Sequence, residues 1–167
     1  LRSLFDNLAY YQGAYRVNSY AHRGRWEIYG VHRASVKGHA IVAGIENVYD
    51  DQMWICRDLP RAYRLTGDAD YLAEATMLAD YCLDGWDCCL DPNGNEYGGI
   101  SWGPGYNSKH SCSNRPIIQP LAWLHELYLS PDETADYTYC YIAPDSSRLS
   151  TQRLRSQGYL VFARTVY

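Results

Sequence analysis

Apolar residues recur at helical spacing in five stretches of the chain. Over residues 1–15, Leu1, Leu4, Phe5, Leu8 and Tyr15 share one stripe. That pattern predicts an amphipathic helix with no N-terminal cap of its own, expected to begin before Leu1. From Tyr49 to Thr66 one stripe holds Tyr49, Met53, Cys56, Pro60 and Tyr63, with Ile55, Leu59 and Ala62 beside it, a helix buried over a broad face. Pro60 removes a backbone donor and should bend it. Gly67 suits a left-handed C-terminal cap and Asp68 an N-terminal one, so a second helix follows at once and runs antiparallel to the first. Its inward positions are Tyr71, Leu72, Ala75, Leu78, Ala79, Cys82 and Leu83, and Gly85 ends it. A fourth helix, capped by Asn114, carries Ile117, Leu121, Leu124 and Tyr128 on one face, with Pro116 in its first turn. Tyr159, Leu160, Ala163, Val166 and Tyr167 resume the period at the end of the chain.

Between these helices the pattern loses its period. Residues 20–44 hold Gly24, Gly30, Gly38 and Gly44 and the cations Arg23, Arg25, Arg33 and Lys37, and read as a long irregular connection of the kind that carries function. Asn93-Gly94, between short apolar runs in residues 90–102, predicts a β-hairpin. Asp91, Asn93 and Asn95 also begin like a calcium loop, but Glu96 stands where that loop needs Gly and Trp102 where it needs a bidentate Glu, which favours a plain turn. Residues 131–150 read as loop. The expected architecture is all-α: about five helices in hairpins, a β-hairpin inserted, and residues 1–167 forming one unit.

Composition narrows the class. The 167 residues are 47% hydrophobic and 20% charged, with no apolar run long enough to span a bilayer. A net charge of -4 argues against a generic nucleic-acid binder, although Arg and aromatic residues between Arg16 and Lys37 keep single-stranded nucleic acid as a minor alternative. Arg148, Arg153, Arg155 and Arg164 make a basic C-terminal stretch without an acid, read as a solvated face. There are 17 Tyr and 5 Trp against 2 Phe; side chains with an apolar body and a polar tip suit wet, concave surfaces. Six cysteines permit three disulfides, but Cys56 and Cys82 fall on helical stripes, so mostly reduced thiols are expected. Cys82, Cys88, Cys89, His110 and Cys112 lack the C-x-x-C pair of a zinc site, and no metal or cofactor is expected. His22, His32 and His39 have no ligand spacing, while His110 and His125 read as hydrogen-bonding or structural residues.

Asp50 and Asp51 are the candidate chemistry. Adjacent carboxylates at a helix start are by default caps that complement the macrodipole. Their company of Tyr49, Trp54 and Trp102 opens a second reading, since sugar sites are commonly aromatic platforms around two carboxylates. Adjacent α-carbons lie about 3.8 Å apart, so diverging side chains reach the roughly 5–5.5 Å separation of a retaining glycosidase. Close like charges also raise one pKa, giving a proton donor beside an ionised nucleophile.

Tyr49-Asp-Asp-Gln-Met-Trp54, Arg61-Ala-Tyr-Arg-Leu-Thr-Gly-Asp68, Tyr71-Leu72, Asp84-Gly-Trp-Asp87, Gly98-Gly-Ile-Ser-Trp102 and the stretch from Lys109 to Asn114 follow one another in this order. The ordered set resembles family 76 of the glycoside hydrolases, the endo-acting α-1,6-mannanases and their fungal wall-assembly relatives. It covers about Val48 to Tyr128 well and the flanks loosely. The resemblance implies an (α/α)6 toroid of six helical hairpins, acting on mannan or manno-oligosaccharides by a retaining mechanism without a cofactor. It further implies a secreted, periplasmic or cell-surface home. Asp50 would be the nucleophile and Asp51 the general acid/base, with Tyr49, Trp54, Trp102, Lys109 and Asn114 contacting sugar or shaping its site. A full ring at roughly 12 residues per helix plus loops needs well over 300 residues, so this chain would be less than half of one. Departures from the family pattern fall at Arg57, Asp58 and Pro60, where the helix should kink, and at His110, Ser111 and Cys112. A transglycosylase on such chains, and a non-catalytic carbohydrate-binding or helical-repeat domain, are the competing readings.

Overall fold

The computed structural model describes residues 1–18, 23–42 and 47–167. In chain order its elements are α1 (Arg2–Leu8), β1 (Gln12–Asn18), β2 (Arg23–Tyr29), α2 (Tyr49–Thr66), α3 (Ala69–Asp84), α4 (Ile118–Tyr128), β3 (Asp136–Ile142), β4 (Arg148–Leu154) and α5 (Arg155–Val166). The five expected helices are all present. Two antiparallel two-stranded sheets, β1–β2 and β3–β4, accompany them.

The α2–α3 hairpin is the centre of the core. Gly67 closes α2 in the left-handed conformation, and the Asp68 carboxylate accepts from the Asp70 amide at 3.1 Å, so the stop and start act as the residue types require. Met53, Cys56 and Leu59 of α2 are buried with Ala75, Leu78, Ala79 and Cys82 of α3. The small Ala side chains let the helices approach, and the Cys56 thiol donates to the Ala75 carbonyl at 3.3 Å. The helix continues through Pro60. Tyr81 and Asp84 are buried as well, and Tyr81 packs between the rings of Tyr49 (5.0 Å) and Trp26 (5.7 Å).

The N-terminal region departs from the helical expectation. The helix stops at Leu8 because the carbonyls of Ala9, Tyr10, Tyr11 and Gln12 accept from the distant amides of Gly38, Ala34, Gly30 and Ala40, leaving none for a further turn. Gly13 permits this approach: a Cβ there would lie 2.1 Å from the Ala40 carbonyl oxygen. The stretch read as irregular thus contains β2, paired with β1 in the register Tyr15 to Trp26, and Arg33 stacks on Tyr10 with its guanidinium carbon 3.8 Å from the ring centre. His22 and Gly44, part of that expected loop, lie outside the described residues.

Two further corrections concern strands. Residues 90–102 form a tight turn rather than a strand hairpin, with isolated bridges from Leu90 to Glu96, from Trp86 to Ile100 and from Ser101 to Lys109. The Asp91 carboxylate accepts from the amides of Asn93 (2.8 Å) and Asn95 (2.9 Å), a local bond set that closes the turn without a ladder. Residues 131–150, read as loop, instead contain β3 and the start of β4, with Tyr137 and Tyr139 buried. The Tyr139 hydroxyl donates to Glu96, which fixes the sheet to that turn. Behind it, α5 packs on α4 and is tied to α3: Asp80 accepts from Arg155 at 2.6 Å and from the Tyr159 hydroxyl at 2.8 Å. Among the described residues no helix is long and apolar enough to cross a membrane.

Candidate active site

The first turn of α2 needs partners for its leading amides. Val48, the N-cap, has no side-chain acceptor, and the Tyr49 amide donates instead to the Trp102 carbonyl at 2.9 Å. This one bond brings the residues 98–114 segment to the helix start and satisfies the first of its amides. Gln52 completes the anchorage from the other side: its amide donates to the Tyr29 carbonyl (2.7 Å) and accepts from the Tyr29 N–H (3.0 Å). The site therefore rests on a helix end held by β2 and by the Trp102 segment.

Asp50 is partly buried in that first turn and Asp51 is exposed. The Asp50 carboxylate accepts from the Asp51 amide at 3.2 Å, and the Cys112 thiol lies close enough to feel its charge. Desolvation, and then the charge of Asp50, push the Asp51 carboxyl up from its ordinary value. Desolvation, and then Asp50, push the Cys112 thiol up as well. A carboxyl biased toward its protonated form beside a second carboxylate has the asymmetry that acid and nucleophile roles need.

The expected sugar contacts fall into two groups. Trp102 and Trp54 stand near the acid pair. The Trp102 ring packs against Tyr106 (4.8 Å) and edge-on against His110 (5.5 Å), and Trp54 lies one turn along α2, 48% exposed. Tyr49, Lys109 and Asn114 are engaged in the scaffold. The Tyr49 ring is buried so tightly against Gly85 that a Cβ there would lie 2.4 Å from it. Lys109 pairs with Asp87 at 2.6 Å. Asn114 does not cap α4, whose N-cap is Ile117. Its carboxamide instead accepts from the Ile100 N–H (2.7 Å) and donates to the carbonyls of Ile100 (2.9 Å) and His110 (2.8 Å), which locks the residues 98–101 and 110–114 segments together.

Gln52, Tyr106 and Cys112 are the participants that sequence reasoning passed over. Cys112 lay within the Lys109 to Asn114 stretch as a departure, and its thiol chemistry was the available signal. His110 is held to the Ser108 hydroxyl at 3.0 Å and stacks on Trp102. None of the six cysteines is joined in a disulfide. Among the described residues no three His, Cys, Asp or Glu side chains cluster as a metal site would require.

No protein-family model matches the chain, and no curated protein matches it. Solved structures do. A family 76 glycoside hydrolase (mannosidase) from Bacteroides thetaiotaomicron matches over 99% of this chain and 32% of its own, at 21% identity and a TM-score of 0.59. The α-1,6-mannanase of a Salegentibacter species matches over 72% of this chain and 26% of its own, at 26% identity and a TM-score of 0.46. An inactive variant of that mannanase in complex with α-1,6-mannotriose matches over 71% and 40%, at 21% identity and a TM-score of 0.41. The chain has a fold like that of the family 76 glycoside hydrolases and spans less than half the length of each solved chain it matches.

Proposed function

We propose that this chain carries the catalytic acid pair of a retaining glycoside hydrolase acting on α-1,6-linked mannan. The observation that supports it is the placement of Asp50 and Asp51 side by side in the first turn of α2, where the Trp102 carbonyl takes the Tyr49 amide and Asp51 stays exposed. The ordered motifs and the family 76-like fold agree with this reading.

In the proposed reaction the Asp50 carboxylate attacks the anomeric carbon as the glycosidic C–O bond breaks, and Asp51 gives its proton to the leaving oxygen. The glycosyl ester on Asp50 is then released when Asp51, now ionised, takes a proton from the water that attacks the same carbon. Trp102 and Trp54 supply aromatic faces for the sugar rings. Tyr49, Lys109 and Asn114 hold the walls in place. A mannan substrate agrees with the secreted, periplasmic or cell-surface home that the resemblance implies.

Reducing-end release from linear α-1,6-mannan tests the assignment, measured on protein carrying this segment and on its Asp50→Asn and Asp51→Asn variants. Both variants should lose at least about a hundredfold in rate. Near-parental rates in either, with folding intact, would overturn the nucleophile and acid/base roles of the pair. Retention of mannan in affinity electrophoresis with no reducing ends released would favour a binding domain instead.

A further inference from the structure

Beyond the acid pair, α2 turns a second face toward the two short 3-10 turns at Ser111–Ser113 and Arg115–Ile117. Between them lies a cavity of about 420 Å³ whose lining includes Trp54, Arg57, Ser111, Cys112, Arg115 and Gln119. That volume falls within the range of small-molecule sites. The cavity lies next to the acid pair, because Trp54, one turn along α2 from Asp51, belongs to its lining. A larger cleft, of about 530 Å³, lies on the other side of Trp54 between α1 and α2 and is lined almost wholly by apolar residues.

The charge of the smaller cavity is one-sided. Among the described residues its lining carries two guanidinium groups and no carboxylate. Arg57 is held with its guanidinium carbon 4.6 Å from the centre of the Trp54 ring. Two carboxylates approach this lining from outside: Asp58, exposed, at 3.8 Å from Arg57 Nε, and Asp50 near the Cys112 thiol. Arg115 extends from the opposite wall on an exposed side chain.

A neutral hexose needs an aromatic face and a few hydrogen-bonding groups, which Trp54, Ser111 and Gln119 already offer. Two guanidinium forks exceed that need, and their geometry matches a phosphate or carboxylate by paired hydrogen bonds. We propose that this cavity is a subsite for a sugar unit bearing an anionic group, with Trp54 under the ring and Arg115 and Arg57 on the anion. The inference rests on the glycan reading of the acid pair and adds a preference for anion-substituted chains.

Binding to the whole chain, followed by NMR titration with mannose, mannose 6-phosphate, mannuronate and inorganic phosphate, tests it. The anionic sugars should bind about tenfold more tightly than mannose, and the better of the two identifies phosphate or carboxylate as the group read. That ratio should fall toward one in Arg115→Gln, survive in part in Arg115→Lys, and shrink as salt rises through about 0.1 M. Equal binding of mannose and its anionic derivatives, or a ratio that survives Arg115→Gln, overturns the proposal. If mannan is cleaved but no anionic preference appears, only this inference fails. If inorganic phosphate binds as well as mannose 6-phosphate while mannose does not bind, the cavity is a bare anion site and this inference fails, whereas release of reducing ends from mannan still decides the reading of the acid pair.

Discussion

Asp51 concentrates the electrostatics of the site in one carboxyl. Desolvation raises its pKa first and the Asp50 charge second, against the helix amides that would favour its ionised form. Replacing Asp50 by Asn removes the second cause, so Asp51 should titrate at lower pH in Asp50→Asn, as carboxyl-carbon NMR will read. A carboxyl raised on folding stabilises fully below its unfolded pKa and loses that contribution as pH rises through the folded value. Asp51→Asn cannot ionise and should therefore gain stability relative to the parent between acid and neutral pH. Solvent screening at this exposed position holds the gain below about 1 kcal/mol. Parallel stability curves for the two proteins over that range would contradict the assignment. The place of Asp50 and Asp51 in the first turn of α2 was legible because adjacent carboxylates ahead of an apolar stripe mark a helix start. The engagement of Tyr49, Lys109 and Asn114 in the scaffold was not, since it depends on Gly85, Asp87 and Ile100, whose approach is set by the tertiary fold.

Among elements, the register of α2 against β2 depends on one carboxamide. Gln52 is buried and satisfies both the N–H and the C=O of Tyr29. Gln52→Ala would strand both backbone groups away from water, a loss of about 2–4 kcal/mol, visible as a lower urea midpoint with an unchanged slope. A change below about 1 kcal/mol would mean that water replaces the carboxamide, which a buried position resists. The helices were legible because their apolar stripes, Gly67 and Asp68 are local signals. The strands were hidden for two different reasons. Ahead of β1, bonds from the amides of residues 30–40 to the carbonyls of residues 9–12, together with the pairing of β1 to β2, overrode an apolar spacing that also fits a helix. In β3 the alternation of Tyr137, Tyr139 and Tyr141 was a strand signal, masked by the turn-rich residues before and after it. The Asn93-Gly94 turn signal was sound, but Asp91 satisfied the turn locally, so no ladder was required.

At the scale of the whole chain, the apolar cleft between α1 and α2 is the least satisfied surface. Leu4 and Leu65 at its borders are 70% and 75% exposed, and the lining includes Phe5, Leu8, Ile55, Leu59 and Tyr71, with Asp58 and Arg61 its charged members. What holds α1 in place is modest: Arg2 reaches Asp68 and Asp70 at 2.8 and 2.9 Å on the exposed surface, and Phe5 meets Tyr71 edge-on at 4.8 Å. Exposed ion pairs contribute little, so α1 belongs to the low-stability end of the molecule and should exchange its amides faster than α3. A contiguous apolar cleft of this extent usually marks a contact surface. The chain alone should therefore associate as its concentration rises, and sedimentation velocity will show mass above that of the monomer. Leu4→Gln with Leu65→Gln should restore the monomer without shifting the thermal unfolding of α2 and α3, because neither side chain belongs to the core those helices share. A parent that stays monomeric at high micromolar concentration would show instead that α1 folds over the cleft closely enough to shield it. The protection of its amides would then match that of α3.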